Sequence, residues 1–209
     1  MAYVLLLNGS PHKNGCTATA LEEVRQTLEA CHVETELIQV GHLNIRGCIA
    51  CQSCSRTGHC VFSDIVNDLA PKFEAADGLV VGSPVYYGSP NATLLALLDR
   101  LFYSTSFDKT MKVGASVVSC RRSGNTASFD VLNKYFTISG MPVVSSQYWN
   151  NIHGFVAEDA HKDLEGLQTM RTLARNMAFL LSSIQLGKER FGLPEKETAH
   201  AFTSFSDGL

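Results

Sequence analysis

Short apolar runs alternate along the chain with stretches whose apolar residues recur every three or four positions. Tyr3–Asn8 (YVLLLN) is apolar almost throughout, as a strand buried on both faces must be. From Thr17 to Cys31 the apolar positions Leu21, Val24, Leu28 and Cys31 predict a helix. Val33–Val40 is more polar and alternates, which suits an edge strand, and Ile65–Ala75 reads as a short helix. Gly78–Ser83 (GLVVGS) is the next buried strand, and Asn91–Tyr103 sets Leu94, Leu97, Leu98 and Leu101 on one helical face. Lys112–Ser119 predicts a fourth strand, Thr126–Phe136 a helix, and Pro142–Trp149 a fifth strand. Asp163–Ser183 is a long helix carrying Leu164, Leu167, Ala174, Met177, Phe179 and Leu181.

Strands that alternate with helices pack as a parallel sheet covered on both faces, because each crossover to a parallel neighbour needs room for a helix. The expected fold class is an α/β three-layer sandwich, and five strands favour the flavodoxin-like order 2-1-3-4-5. One domain is expected over residues 1–186, with a cysteine-rich insertion at 44–64 between the second strand and its helix. The polar stretch 187–209, which carries Pro194, is expected to be a C-terminal extension. With 209 residues, 45% of them hydrophobic, the chain can bury a core and is too apolar for disorder. Its 17 basic and 20 acidic side chains leave a net charge of −3, without the basic surface of a nucleic-acid binder. No apolar run approaches the roughly 20 residues of a membrane span, and Tyr3–Leu7 is too short for the core of a signal peptide. A cytoplasmic protein with neither a nucleic-acid nor a membrane partner is expected.

Three loops follow predicted strands at the edge where doubly wound sheets bind ligands. The first, Asn8 to Thr17 (NGSPHKNGCT), leads straight into a helix whose N-terminus carries partial positive charge. It is neither a Walker A loop nor a G-x-G-x-x-G fingerprint. A terminal phosphate, as in a mononucleotide, is the ligand it would suit, with Ser10, His12, Asn14, Cys16, Thr17 and Ala18 as candidate contacts. The competing reading is an ordinary turn capped by Thr17. The second loop holds Ser83, Pro84, Val85, Tyr86, Tyr87 and Gly88. Its two tyrosines offer flat faces to a ring, or pack against the sheet edge. The third holds Cys120, Arg121, Arg122 and Gly124, where an arginine would meet an anion or simply be solvated. After the fifth strand, Tyr148, Trp149 and His153 stand close together, and His153 is either a site residue or a structural loop histidine.

Four of the seven cysteines, Cys48, Cys51, Cys54 and Cys60, fall in one short segment. In a reducing compartment such spacing points to metal ligation or redox chemistry before disulfides. Three readings stay open: a [4Fe–4S] cluster on four thiolates, zinc on four cysteines, or no metal and a thiol-rich wall. Structural zinc usually joins two separated pairs, whereas all four cysteines here share one loop. Cys31 and Cys120, at element ends, read as packing residues.

The pattern Gly9-Ser10-Pro11-x-Lys13-x-Gly15-x-Thr17 resembles the phosphate loop of the NADPH-dependent FMN reductase family. Ser83-Pro84-Val85-Tyr86-Tyr87 resembles that family's S-P-V-Y-[YF] loop, and Leu94, Leu98, Asp99 and Arg100 resemble its next helix. Tyr148-Trp149-Asn150-Asn151-Ile152-His153-Gly154 is similar to the Y-W-N-x-x-H-G segment of one branch, and the cysteine spacing resembles that of iron–sulfur flavoproteins. Departures are His12 in place of a common Arg, Cys16 in place of Asn or Ser, and Ser123-Gly124 in place of Gly-Gly. The resemblance implies a flavodoxin-like fold with FMN phosphate on residues 10–18 and the isoalloxazine between the Tyr86 loop and residues 120–125. It implies an FMN-dependent oxidoreductase taking NAD(P)H as co-substrate and reducing a small-molecule acceptor such as a flavin or quinone. The flavin would carry the chemistry, so no catalytic side chain is named. An iron–sulfur flavoprotein passing electrons between a [4Fe–4S] cluster, FMN and a ferredoxin-like partner is the second reading, and a flavin-binding module without turnover the third. A homodimer or homotetramer is implied, with the flavin at a subunit contact.

Overall fold

The computed structural model describes residues 1–197 and 201. In chain order the elements are β1 (Tyr3–Asn8), α1 (Cys16–Ala30), β2 (Glu34–Gln39), α2 (Ser53–Thr57), α3 (Ile65–Ala75), β3 (Gly78–Tyr86), β4 (Ser89–Pro90), α4 (Ala92–Ser104), β5 (Val113–Cys120), α5 (Asn125–Ile138), β6 (Asn151–His153), α6 (Ala157–Ala160) and α7 (Leu164–Phe191). The sheet runs β2-β1-β3-β5-β6 with every neighbour parallel, which is the expected order 2-1-3-4-5 of the five parallel strands. β4 is a two-residue antiparallel return on the end of β3 that the sequence pattern does not announce. Among the described residues no helix is long and apolar enough to cross a membrane.

Alternation along the strands divides the core between the two faces. Val4 and Leu6 of β1 pack with Leu21, Val24 and Leu28 of α1 and Met170, Leu173 and Met177 of α7. Leu5 and Leu7 pack the other way, with Phe73 of α3, Leu97 of α4 and Phe136 of α5. Every apolar residue of β1 from Val4 to Leu7 is fully buried, so its run of consecutive apolar side chains serves both layers.

The edge strand lies elsewhere than the apolar pattern puts it. Pro142–Trp149 meets the sheet only at a bridge between Gly114 and Val143, and β6 pairs with β5 from Asn151 onward. Between that bridge and the Val118–Asn151 pair the edge carries four more residues than β5 does. The excess leaves the ladder as a loop held by side chains. Asn150 Nδ2 donates to the Ser116 carbonyl at 3.1 Å, and Ser146 Oγ donates to Asn150 Oδ1 at 2.7 Å. The long helix also runs further than its apolar pattern predicts, past Ser183 to Phe191. A single glycine such as Gly187 costs a helix only about 1 kcal/mol, and Lys188 and Arg190 suit the negative end of the helix dipole. Gly192, at φ +78°, ends it. Cys31 is exposed at the end of α1 and is not a packing residue, whereas Cys120 is buried.

At the carboxyl ends of β1, β2 and β3 backbone meets backbone. Gly9 N–H donates to the Gly82 carbonyl at 2.8 Å, and the amides of Val40 and Gly41 donate to the Asn8 carbonyl at 2.9 and 3.0 Å. A methyl group on Gly41 would lie 2.2 Å from the Gly9 carbonyl oxygen. Gly41→Ala is therefore expected to push the Gly9–Ser10 turn off the sheet and to destabilise the fold by about 1–3 kcal/mol. Urea unfolding measures this, and an unchanged midpoint would show that the turn has room to give.

Candidate functional site

The first loop is braced at the carbonyls of Gly9 and Ser10, where it leaves the sheet. Asn91 Nδ2 donates to the Gly9 carbonyl at 2.6 Å and Gln39 Nε2 to the Ser10 carbonyl at 2.5 Å. Ser10 is buried; its N–H donates to Asn8 Oδ1 at 3.0 Å and its Oγ accepts from the His12 N–H at 3.1 Å. The N-cap of α1 is Gly15, with no side-chain cap, so the first-turn amides open on the cleft beside it. Thr17 does not cap the helix. Its Oγ1 shares a hydrogen bond of 2.8 Å with Ser119 Oγ, which ties α1 to the end of β5. An unblocked helix N-terminus under a fixed turn is the arrangement that receives a phosphate.

This cleft has a volume of about 680 Å³. Of the residues expected from sequence, Ser10, His12, Asn14, Cys16 and Thr17 line it from the first loop. Pro84, Val85 and Tyr86 line it from the second, and Cys120 and Arg121 from the third. Ala18, Ser83, Tyr87, Gly88, Arg122 and Gly124 do not line it. Ser83 is a brace, since its buried Oγ accepts from the Asn91 N–H at 2.9 Å. Tyr87 sits at the tip of the β3–β4 turn with φ +57° and its ring wholly exposed. Gly124, at φ +86°, lets the second and third loops touch, because a methyl group there would stand 2.8 Å from Val85 Cγ1. Ser119 and the wall from Gly154 to Glu158 also line the cleft; Gly154 belongs to the segment singled out after the fifth strand, but none of these is a contact expected from sequence. The wall forms because β6 carries Gly154 to within 3.0 Å of the Cys120 carbonyl, a contact set by the shifted edge register.

Both cleft cysteines are held as neutral thiols. Burial pushes the Cys16 and Cys120 thiols up from their ordinary range, and Cys16 Sγ donates to the Val156 carbonyl at 3.1 Å. The burial of Tyr86 likewise raises its phenol. His153 stands outside this cleft, in a neighbouring cavity of about 370 Å³ with Trp149 and Asp163. Asp163 Oδ2 accepts the His153 backbone N–H at 2.7 Å and lies 3.4 Å from its Nδ1.

The four clustered cysteines line one further cavity of about 340 Å³, closed by Val61, Phe62, Arg100 and Tyr103. The chain reaches this shape through left-handed residues at Ala50 (φ 52°) and Gln52 (φ 56°), on either side of Cys51. Gly58 (φ 73°) ends the short helix α2 that carries Cys54. Asn67 clamps the far side: its Oδ1 accepts the Cys60 N–H at 2.9 Å and its Nδ2 donates to the Cys60 and Phe62 carbonyls at 3.0 Å. Among the described residues no three Cys, His, Asp or Glu side chains are grouped to hold a single metal ion. Four thiols that line one cavity are a donor set that a [4Fe–4S] cluster could take, one thiolate to each iron. Arg100, buried in α4, reaches this cavity and forms an ion pair with Asp64 at 2.7 Å. Burial alone would lower its pKa, but hydrogen bonds to Asp64 and Cys60 outweigh that and hold the guanidinium charged.

Residues 2–155 match the family model described as NADPH-dependent FMN reductase. The chain belongs to the NADPH-dependent FMN reductase family. The match takes in all three ligand loops and the cysteine segment, and the family makes this chain a flavin-binding oxidoreductase. An iron-sulfur flavoprotein of Methanocaldococcus jannaschii is 30% identical over 190 residues, covering 87% of this chain and 98% of the relative. An iron-sulfur flavoprotein of Methanosarcina thermophila is 29% identical over 188 residues, covering 88% and 97%. Among solved structures, RosB with a bound formyl-riboflavin phosphate intermediate superposes with a TM-score of 0.69 at 14% identity, covering 99% of this chain and 92% of RosB. That last likeness speaks for the fold.

In this FMN reductase family member the cysteine cavity rests on one ion pair. Asp64→Asn would leave the Arg100 charge buried without a counter-charge, at a cost of about 3 kcal/mol. Chemical denaturation is expected to show that loss. A change below about 0.5 kcal/mol, the range of neutral surface substitutions, would mean that water reaches the guanidinium.

Proposed function

We propose that the protein is an FMN-dependent oxidoreductase that holds a [4Fe–4S] cluster on Cys48, Cys51, Cys54 and Cys60 and exchanges electrons with a ferredoxin-like partner. The observation that carries this reading is that all four cysteines of the loop line a single cavity. The names of the relatives that span nearly the same length support it. FMN, when bound, supplies the redox chemistry and can pass electrons singly or in pairs.

The chain's own residues bind, orient and insulate. The first-turn amides of α1, with Ser10 fixing the turn before them, take the phosphate, and His12 and Asn14 stand at its rim. Pro84, Val85 and Tyr86 would hold the isoalloxazine, in the same cleft that Cys120 and Arg121 line. The neutral thiols of Cys16 and Cys120 add no charge next to the ring. Tyr87, Tyr148, Trp149 and Phe155 are large apolar side chains left exposed, which supports a homodimer or homotetramer that covers them. Free thiols throughout suit the reducing cytoplasm.

A second reading, favoured by the description of the matching family, has NADPH or NADH reduce the flavin directly and a quinone or free flavin leave with the electrons. Exposed Arg121 at the cleft would then meet the nucleotide. One set of measurements separates the two. Protein purified without oxygen is expected to carry about four iron and four sulfide per chain. Its flavin band is expected to bleach faster with reduced ferredoxin than with NADPH or NADH. Anaerobic protein with flavin and no iron would refute the cluster, and rapid bleaching by NADPH in a Cys51→Ser variant would establish the direct route instead.

A further inference from the structure

Arg100 heads the fully buried side chains ranked by size, at 1% exposure. A buried cation is costly unless it is paired and its donors are satisfied. Asp64 satisfies it on one side with a two-pronged grip, Nη1 to Oδ2 at 2.7 Å and Nη2 to Oδ1 at 2.8 Å. The Arg46 carbonyl accepts a further bond from Nη1 at 3.3 Å. The remaining direction is taken by Cys60: Nε donates to its Sγ at 3.2 Å. The ring of Phe62 lies 5.0 Å from the Arg100 guanidinium and 4.9 Å from that of Arg46. From residue 44 to residue 63 the loop contains Arg46 and Arg56 and no acidic residue. The lining of the cavity thus combines four thiols with one cation, Arg100, and no carboxylate.

We infer that Arg100 is a positioning residue for the fourth cysteine, holding Cys60 Sγ on the cavity wall and making the cluster bound there easier to reduce. This rests on the cluster reading above. Reduction adds one electron and no proton to a body already carrying thiolates. A buried cation within hydrogen-bond distance of one of those sulfurs favours the state with the extra negative charge, and hydrogen bonds to cluster sulfurs raise the potential. Arginine suits this task because its planar fork serves Asp64 and Cys60 at once from different nitrogens. Lysine carries the same charge at a single nitrogen and can keep only the pairing with Asp64.

The test is a redox titration of the anaerobic full-length holoprotein, with dithionite as electron source and the reduced cluster followed by electron paramagnetic resonance. Arg100→Lys is expected to keep its FMN and iron and to show a cluster potential shifted to more negative values. An unshifted potential at full iron content overturns the role assigned to Arg100 and leaves the cluster reading standing. Wild-type protein without iron overturns both. Should Arg100→Lys fail to fold or to retain iron, the wild-type protein labelled with ¹⁵N-arginine decides the matter. Pulsed resonance of its reduced cluster is expected to show coupling to a guanidinium nitrogen, and no such coupling overturns the inference.

Discussion

Backbone packed on backbone where β1, β2 and β3 end is the constraint on which the ligand edge depends. Gly9, Gly41 and Gly82 approach so closely that a methyl group on any of them would strike a neighbouring strand, turn or side chain. That contact fixes the direction in which the first loop leaves the sheet, and the braces from Asn91 and Gln39 then leave it one shape. Strand pairing, loop geometry and an open helix N-terminus are consecutive consequences of one close approach. The amides that receive an anion are set before any ligand arrives, so little ordering entropy remains to be lost on binding.

The same residue type is used in opposite ways on either side of this edge. Cys16 and Cys120 are buried against apolar neighbours and carbonyls, which keeps them protonated and quiet. Cys60 shares its wall with a buried guanidinium, and Cys48 and Cys51 are exposed on a loop bent by two left-handed residues. Left-handed conformations in residues other than glycine cost roughly 1–2 kcal/mol each. Their placement beside Cys51 fits strain that a bound group offsets. Two cysteines are thus sealed into the cleft wall, while the clustered four line a cavity of their own.

The buried strands and the glycine-rich first loop were legible in the sequence because burial on both faces leaves no polar position from Val4 to Leu7 of β1, and a sharp turn leaves its own punctuation. The edge strand was not legible. Val143 and Val144 carry the apolar signal but form only a bridge, while the pairing residues Asn151 to His153 look like loop. The wall from Gly154 to Glu158 was missed with it, since no local motif encodes a contact that depends on edge register. The sequence placed Arg100 on a family-like helix but did not announce its burial, which comes with its bonds to Asp64 and to the Arg46 carbonyl of the inserted loop. The long helix reads from sequence to Ser183 and runs on to Phe191, where Gly192 at φ +78° ends it.

The proposed function gives one chain two redox centres, a flavin in the cleft and a cluster on the cysteine loop. Coulometric reduction of the anaerobically purified protein counts them directly, because a flavin accepts two electrons and a single cluster one. The account predicts about three electron equivalents per chain. Saturation at about two, with the flavin absorbance alone tracking the charge passed, would contradict it.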